Sequence, residues 1–131
     1  MQISYRFKNM MVEHALREMP NECCGVLIGQ NKIIKRIVPM RSIPPSPDSY
    51  FMDPEQQVAI FTEMEKRGEI LLGIYHSHPD GPIHPSSADL QLAFHPDAIY
   101  FIISLMDRDK PQIGAFVLEK GRFEEITVEY I

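Results

Sequence analysis

An apolar run that ends in two histidines, Ile70-Leu71-Leu72-Gly73-Ile74-Tyr75-His76-Ser77-His78, constrains this chain more than any other stretch. Its length and residue types are those of a buried strand. In extended backbone alternate side chains share a face, so the imidazoles of His76 and His78 project in one direction. Proline-punctuated turns follow, Pro79-Asp80-Gly81-Pro82 and His84-Pro85, and Ser86 and Asp89 then stand three apart where a helix would begin. Two neighbouring imidazoles and a carboxylate returned by a turn make a three-ligand set. That is the donor arrangement of a catalytic zinc site.

Ser86 and Asp89 also admit a structural reading. Ser-x-x-Asp at a helix start resembles a capping box, with the serine hydroxyl on a backbone N–H. The two readings can coexist, because Asp89 on a first helical turn can face back toward the histidines. Glu22, just before an apolar strand, is either a solvated strand end or a general base. A zinc hydrolase needs such a base, distinct from its metal ligands, to take a proton from water.

The rest of the chain supplies a scaffold. Val12, Ala15, Leu16 and Met19 recur at helical spacing, which predicts an amphipathic helix over 7–19 with those residues facing inward and Pro20 ending it. Residues 22–29 and 32–40 read as a hairpin turning at Gln30-Asn31. The stretch 43–49, Ile-Pro-Pro-Ser-Pro-Asp-Ser, is a surface loop of the kind that borders sites. Asp53-Pro54-Glu55-Gln56 predicts a helix start, with Asp53 as N-cap and Gln56 completing a capping box. Val58, Phe61 and Met64 give that helix its inner face, and Gly68 closes it. A short helix is expected over 86–94. Residues 98–105 form the most continuously apolar run, a central strand covered on both faces. Residues 112–118 and 123–130 close the chain as a hairpin around Lys120-Gly121. This order predicts an α+β domain, layered α/β/α, spanning 1–131.

Composition narrows the function. With 131 residues the chain fits one domain with a real core. The net charge of −5 supplies no global attraction to nucleic acid or anionic lipid, and no apolar run is long enough for a bilayer. No signal-peptide pattern opens the sequence, so a cytoplasmic location is expected. Cys23 and Cys24 are adjacent, which makes a bond between them geometrically unfavourable, and no C-x-x-C pair is present. They read as small buried hydrophobes. The missing P-C-x-x-C ligands also exclude a zinc deaminase.

Taken together, Glu22, His76-Ser77-His78-Pro79, Ser86 and Asp89 resemble the motif of the JAMM metalloproteases, also called MPN+ or JAB. That motif has a distant Glu, then H-S/T-H-P, six residues, Ser, two residues and Asp. The Pro20-Asn21-Glu22-Cys23-Cys24-Gly25 context is similar too. The resemblance implies a cytidine-deaminase-like JAB/MPN domain, a curved mixed β-sheet flanked by helices. It implies one Zn²⁺ held by His76, His78 and Asp89 with water in the fourth position. Glu22 would be the general base and later proton donor, and Ser86 would support the oxyanion. Members cleave after the C-terminal Gly-Gly of ubiquitin or ubiquitin-like proteins, and small prokaryotic ones act on ubiquitin-like sulfur carriers. Such a carrier is the expected partner and substrate. A non-catalytic MPN scaffold is the alternative, although such relatives have generally lost ligands that this chain keeps. His84 is a rival to Asp89 as ligand and is expected on the rim. His14 and His95 receive no role.

Overall fold

The computed structural model of the chain describes residues 1–91 and 93–131. Six strands form one mixed sheet: β2 (Cys24–Gln30), β3 (Ile33–Met40), β4 (Ile70–His78), β5 (Ile99–Ser104), β6 (Gln112–Glu119) and β7 (Arg122–Ile126). Their spatial order is β3-β2-β4-β5-β6-β7, with β4 and β5 parallel and every other neighbour pair antiparallel. Strand β1 (Gln2–Ile3) pairs in parallel with β8 (Glu129–Tyr130) as a separate two-stranded ribbon. The helices are α1 (Tyr5–Glu18), α2 (Pro54–Arg67) and the short α3 (Ser87–Gln91).

The apolar side chains divide into two clusters, as a sheet covered on both faces requires. One joins Val26, Ile28, Ile74, Tyr100 and Ile102 to Ile60 and Met64 of α2. The other joins Leu27, Tyr75, Phe101 and Ile103 to Met11 and Ala15 of α1. The α/β/α layering read from the sequence is therefore present. Strand β4 alternates between the clusters: Ile74 points to the α2 side and Tyr75 to the α1 side. This alternation fixes the direction of the two histidines that end it.

Local chemistry explains most boundaries. Ser4 caps α1, its hydroxyl accepting from the Arg6 N–H at 3.2 Å. Helix α2 begins as expected: Asp53 Oδ1 accepts from the Glu55 N–H at 3.0 Å, Pro54 occupies the first turn, and Gly68 ends the helix at φ 65°. Two reversals adopt the left-handed backbone that two-residue hairpin turns need, at Asn31-Lys32 and at Lys120-Gly121.

Other expectations are corrected. The inner face of α1 is Met11, His14 and Ala15, while Leu16 is exposed. His14 turns inward because its Nδ1 lies 2.7 Å from the buried Tyr75 hydroxyl, a partner that periodicity cannot reveal. On α2 the buried residues are Ile60 and Met64, and Val58 is exposed. Gln56 makes no capping box; its Oε1 accepts from the Arg41 N–H instead. The strand expected over 123–130 splits, because Glu129–Tyr130 leaves the sheet to pair with β1. The helix expected over 86–94 is described over Ser87–Gln91, and its expected residue 92 lies outside the described residues.

Gly25 marks the tightest packing near the site. A Cβ there would lie only 2.2 Å from the Cε1 and Cζ atoms of Tyr75, which is fully buried against it. Gly25→Ala is therefore expected to displace that ring, break the His14–Tyr75 hydrogen bond and lower unfolding stability by about 3 kcal/mol. Urea titration checks this, and an unchanged midpoint would show that the ring can move away freely.

Candidate metal centre and its cleft

Strand pairing assembles the site. Cys24 on β2 is paired with His76 on β4, and beyond that pair the Ser77 N–H donates to the Cys23 carbonyl at 3.2 Å. The Ser77 hydroxyl, on the α1 side, accepts from the Cys23 N–H at 2.8 Å. These bonds extend the ladder past the end of β2, so that Glu22 lies beside the strand that carries the histidines. The Glu22 N–H in turn donates to the Ser46 carbonyl at 2.8 Å, which ties the proline-rich loop to the same point.

His76, His78 and Asp89 converge. Each of the three pairings among His76 Nε2, His78 Nε2 and the two Asp89 carboxylate oxygens measures 3.1 Å. Tetrahedral ligands about 2.0–2.1 Å from a zinc ion would be about 3.3 Å apart, so the spacing fits a shared cation. Hydrogen bonds also orient the donors. The His78 Nδ1–H donates to the Pro82 carbonyl at 2.7 Å, leaving the Nε2 lone pair turned toward Asp89. Ser104 holds the intervening turn, its hydroxyl donating to the Gly81 carbonyl at 2.6 Å. Asp89 Oδ2 accepts from the Ser86 N–H at 2.8 Å, and the Asp89 N–H donates to Ser86 Oγ at 3.1 Å. The capping box is thus formed, and it leaves the Asp89 carboxylate facing both histidines. His76, His78 and Asp89 form a triad that could bind a metal ion.

The electrostatics agree with that chemistry. Burial opposes charge on Asp89, but the imidazoles of His76 and His78, whenever Nε2 carries a proton, donate to the carboxylate, outweigh burial and hold the carboxyl far below the usual range. Burial pushes His76 below an ordinary imidazole. Burial also acts against protonation of His78, yet Asp89 and the Pro82 carbonyl raise its pKa overall. Without a cation, lone pairs of His78 and Asp89 would face one another, and protonation of His78 relieves that repulsion. A metal ion would do the same for all three donors.

Glu22 is buried, and its Oε1 has no hydrogen-bond partner among the described residues. Burial pushes its carboxyl up to about 7 against the pull of His78, with Asp89 and Asp48 adding to the rise. Glu22, His78 and Ser86 border one open cleft of about 470 Å³, walled by Pro47 and Pro85, with His84 on its rim. His84 is outside the triad. Burial raises both cysteine thiols to about 12, so they are inert side chains of the core, as expected. His95 caps nothing catalytic; its backbone N–H donates to the Tyr100 hydroxyl. The contributions of the Pro82 carbonyl and the Ser104 hydroxyl carried no signal in the periodicity, because each depends on closure of the turn after β4.

The family follows from comparison. A model of the prokaryotic homologs of the JAB domain matches residues 6–118. The chain belongs to this family. It is 34% identical over 125 residues to the CysO-cysteine peptidase of Mycobacterium tuberculosis, covering 94% of this chain and 86% of that protein. It is 35% identical over 95 residues to a desampylase of Haloferax volcanii, covering 70% of this chain and 68% of the relative. A solution structure from Desulfitobacterium hafniense superposes with a TM-score of 0.87 at 34% identity, covering 99% of this chain and 92% of the other. No helix among the described residues is long and apolar enough to cross a membrane.

The raised pKa of Glu22 has a thermodynamic consequence. Between the unfolded value of about 4.3 and the folded value of about 7, the metal-free native state binds more protons than the unfolded chain. Stability from this group therefore falls as pH rises through that window. Glu22→Gln removes the titration, so the variant should gain on the parent, by on the order of 3 kcal/mol between about pH 4 and pH 8. Urea unfolding of both metal-free proteins at the two pH values measures it. A constant difference would mean that Glu22 ionises as an ordinary carboxylate.

Proposed function

We propose that this JAB-family protein is a zinc-dependent peptidase that hydrolyses the amide bond after the C-terminal Gly-Gly of a ubiquitin-like sulfur-carrier protein. The observation that carries this reading is the buried Glu22 carboxyl, whose Oε1 has no hydrogen-bond partner among the described residues, bordering one cleft with His78 of the His-His-Asp triad. A metal-binding scaffold has no use for a buried proton acceptor beside its metal ligands. A hydrolase does.

In this reading His76, His78 and Asp89 hold Zn²⁺, for which two imidazoles and one carboxylate are a suitable three-residue set. The ion, when bound, polarises the scissile carbonyl and lowers the pKa of water at the site to about 7. Glu22 takes the proton from the attacking water and later delivers it to the leaving amine. Ser86 Oγ already accepts from the Asp89 N–H, so its own O–H is free to donate to the carbonyl oxygen as negative charge develops there. Pro47 and Pro85 line the cleft, and a Gly-Gly tail, lacking side chains, brings its backbone close to such walls most readily. The substrate class is supported by relatives named for cleaving CysO-cysteine and protein conjugates.

Carrier proteins ending in Gly-Gly joined to an amino acid or to a lysine side chain provide the test. The parent should cleave at that bond, lose activity to a chelator and regain it with Zn²⁺. Glu22→Gln should keep the metal while kcat/KM falls on the order of a thousandfold. Loss of the metal from this variant would make Glu22 a ligand. Metal-independent cleavage, or none by the zinc-loaded parent, would overturn the reading.

A further inference from the structure

The two histidines of the triad are held differently. His78 is oriented by a hydrogen bond from its second nitrogen to the Pro82 carbonyl. The corresponding atom of His76, Nδ1, is buried and has no hydrogen-bond partner among the described residues. A metal-ligating histidine ordinarily donates that second N–H to an acceptor, which fixes the ring. What His76 has instead is Tyr50. The two rings are stacked, with centroids 4.6 Å apart and planes at 27°.

Tyr50 is itself firmly placed. It directly follows the proline-rich segment 43–49 and lies inside a clasp, where Ser42 and Met52 form an antiparallel bridge. Within the clasp the Phe51 N–H donates to Ser42 Oγ at 2.9 Å and the Ile43 N–H to the Phe51 carbonyl at 2.8 Å. Arg41 and Asp53 close its base with an ion pair of 2.8 Å and a backbone hydrogen bond of 2.9 Å. Tyr50 is buried and belongs to the same apolar cluster as Cys24, Met52 and Ile74. Its ring cannot rotate away without opening that cluster.

We propose that Tyr50 is a positioning residue, whose ring face holds the His76 imidazole so that Nε2 converges with His78 Nε2 and Asp89. Planar contact does for His76 what the Pro82 carbonyl does for His78. The requirement is for a flat ring and not for the hydroxyl, which makes no hydrogen bond among the described residues. The same loop, through the Ser46 carbonyl, also holds the backbone of Glu22. A loop without regular structure therefore sets both a ligand and the base.

This inference rests on the assignment of His76 as a ligand, and metal affinity separates the two. Co²⁺ is titrated into metal-free parent, Tyr50→Phe, Tyr50→Leu and His76→Ala, with the ligand-field spectrum and chelator competition as readouts and thermal unfolding of the metal-free proteins as the control for folding. Tyr50→Phe should match the parent within about twofold. Tyr50→Leu should lose affinity by about 10- to 100-fold and show an altered spectrum. If Tyr50→Leu does not fold, Tyr50→Met, of similar bulk but not planar, takes its place with the same expectation. A folded Leu or Met variant with parental affinity and spectrum would overturn the positioning role, as would a Phe variant as defective as Leu. A parent that binds no Co²⁺, or a His76→Ala variant that binds it undiminished, would instead overturn the ligand assignment.

Discussion

The pairing of Cys23 and Cys24 with Ser77 and His76 is the constraint on which the rest depends. Antiparallel register has period two, so a slip of one residue would turn His76 and His78 to the α1 side and expose the wrong set of side chains to each core. The register is guarded from both faces. On the α1 side Tyr75 fits only over Gly25, and the Ser77 hydroxyl takes up the Cys23 N–H where the strand ends. On the α2 side Ile74 and Cys24 share one cluster with Tyr50. Glu22 reaches the site because this ladder is continued past β2 by side-chain and backbone bonds. The distance along the chain between Glu22 and His76 then has no bearing on their distance in space.

What the sequence made legible follows from the range of the forces involved. His76 and His78 could be read because strand alternation is a local property, and Ser86 with Asp89 because a helix cap spans one turn. The caps at Asp53 and Gly68 were legible for the same reason. The inner face of α1 was not. His14 displaces Leu16 from the interior because the Tyr75 hydroxyl, on a strand far along the chain, offers it a buried partner. Likewise Gln56 abandons the cap of its own helix for the Arg41 N–H. Polar side chains follow their strongest available partner, and where that partner is remote, periodicity gives the wrong answer. The split of the last strand has a similar origin, since Glu129–Tyr130 pairs with residues from the opposite terminus.

The candidate site shows the same division. The motif named the groups that would do the chemistry: His76, His78, Asp89, Glu22 and Ser86. It did not name those that orient them. Pro82 contributes through a carbonyl, which any residue possesses, and Ser46 does the same for Glu22. Such contributions are invisible to residue identity. They depend on turns and loops closing, and those closures are secured by Ser104 and by the Ser42–Met52 bridge.

Two carboxylates at the site, Asp89 and Glu22, illustrate how one small volume sets opposite states. Asp89 has two imidazoles and a backbone N–H close to its carboxylate, which keep it ionised in spite of burial. Glu22, comparably buried, has no such donor on Oε1 and feels Asp89 and Asp48 as like charges, so it gains a proton near neutrality. The ionised carboxylate is suited to holding a cation, and the poised one to moving a proton. Exchanging their environments would abolish both capacities while leaving the composition of the cleft unchanged. Function in this fold therefore resides less in which acids are present than in how many donors each is given. Those groups come from the β4 histidines and from Ser86 just before α3, which surround Asp89, whereas Glu22 Oε1 has no hydrogen-bond partner among the described residues.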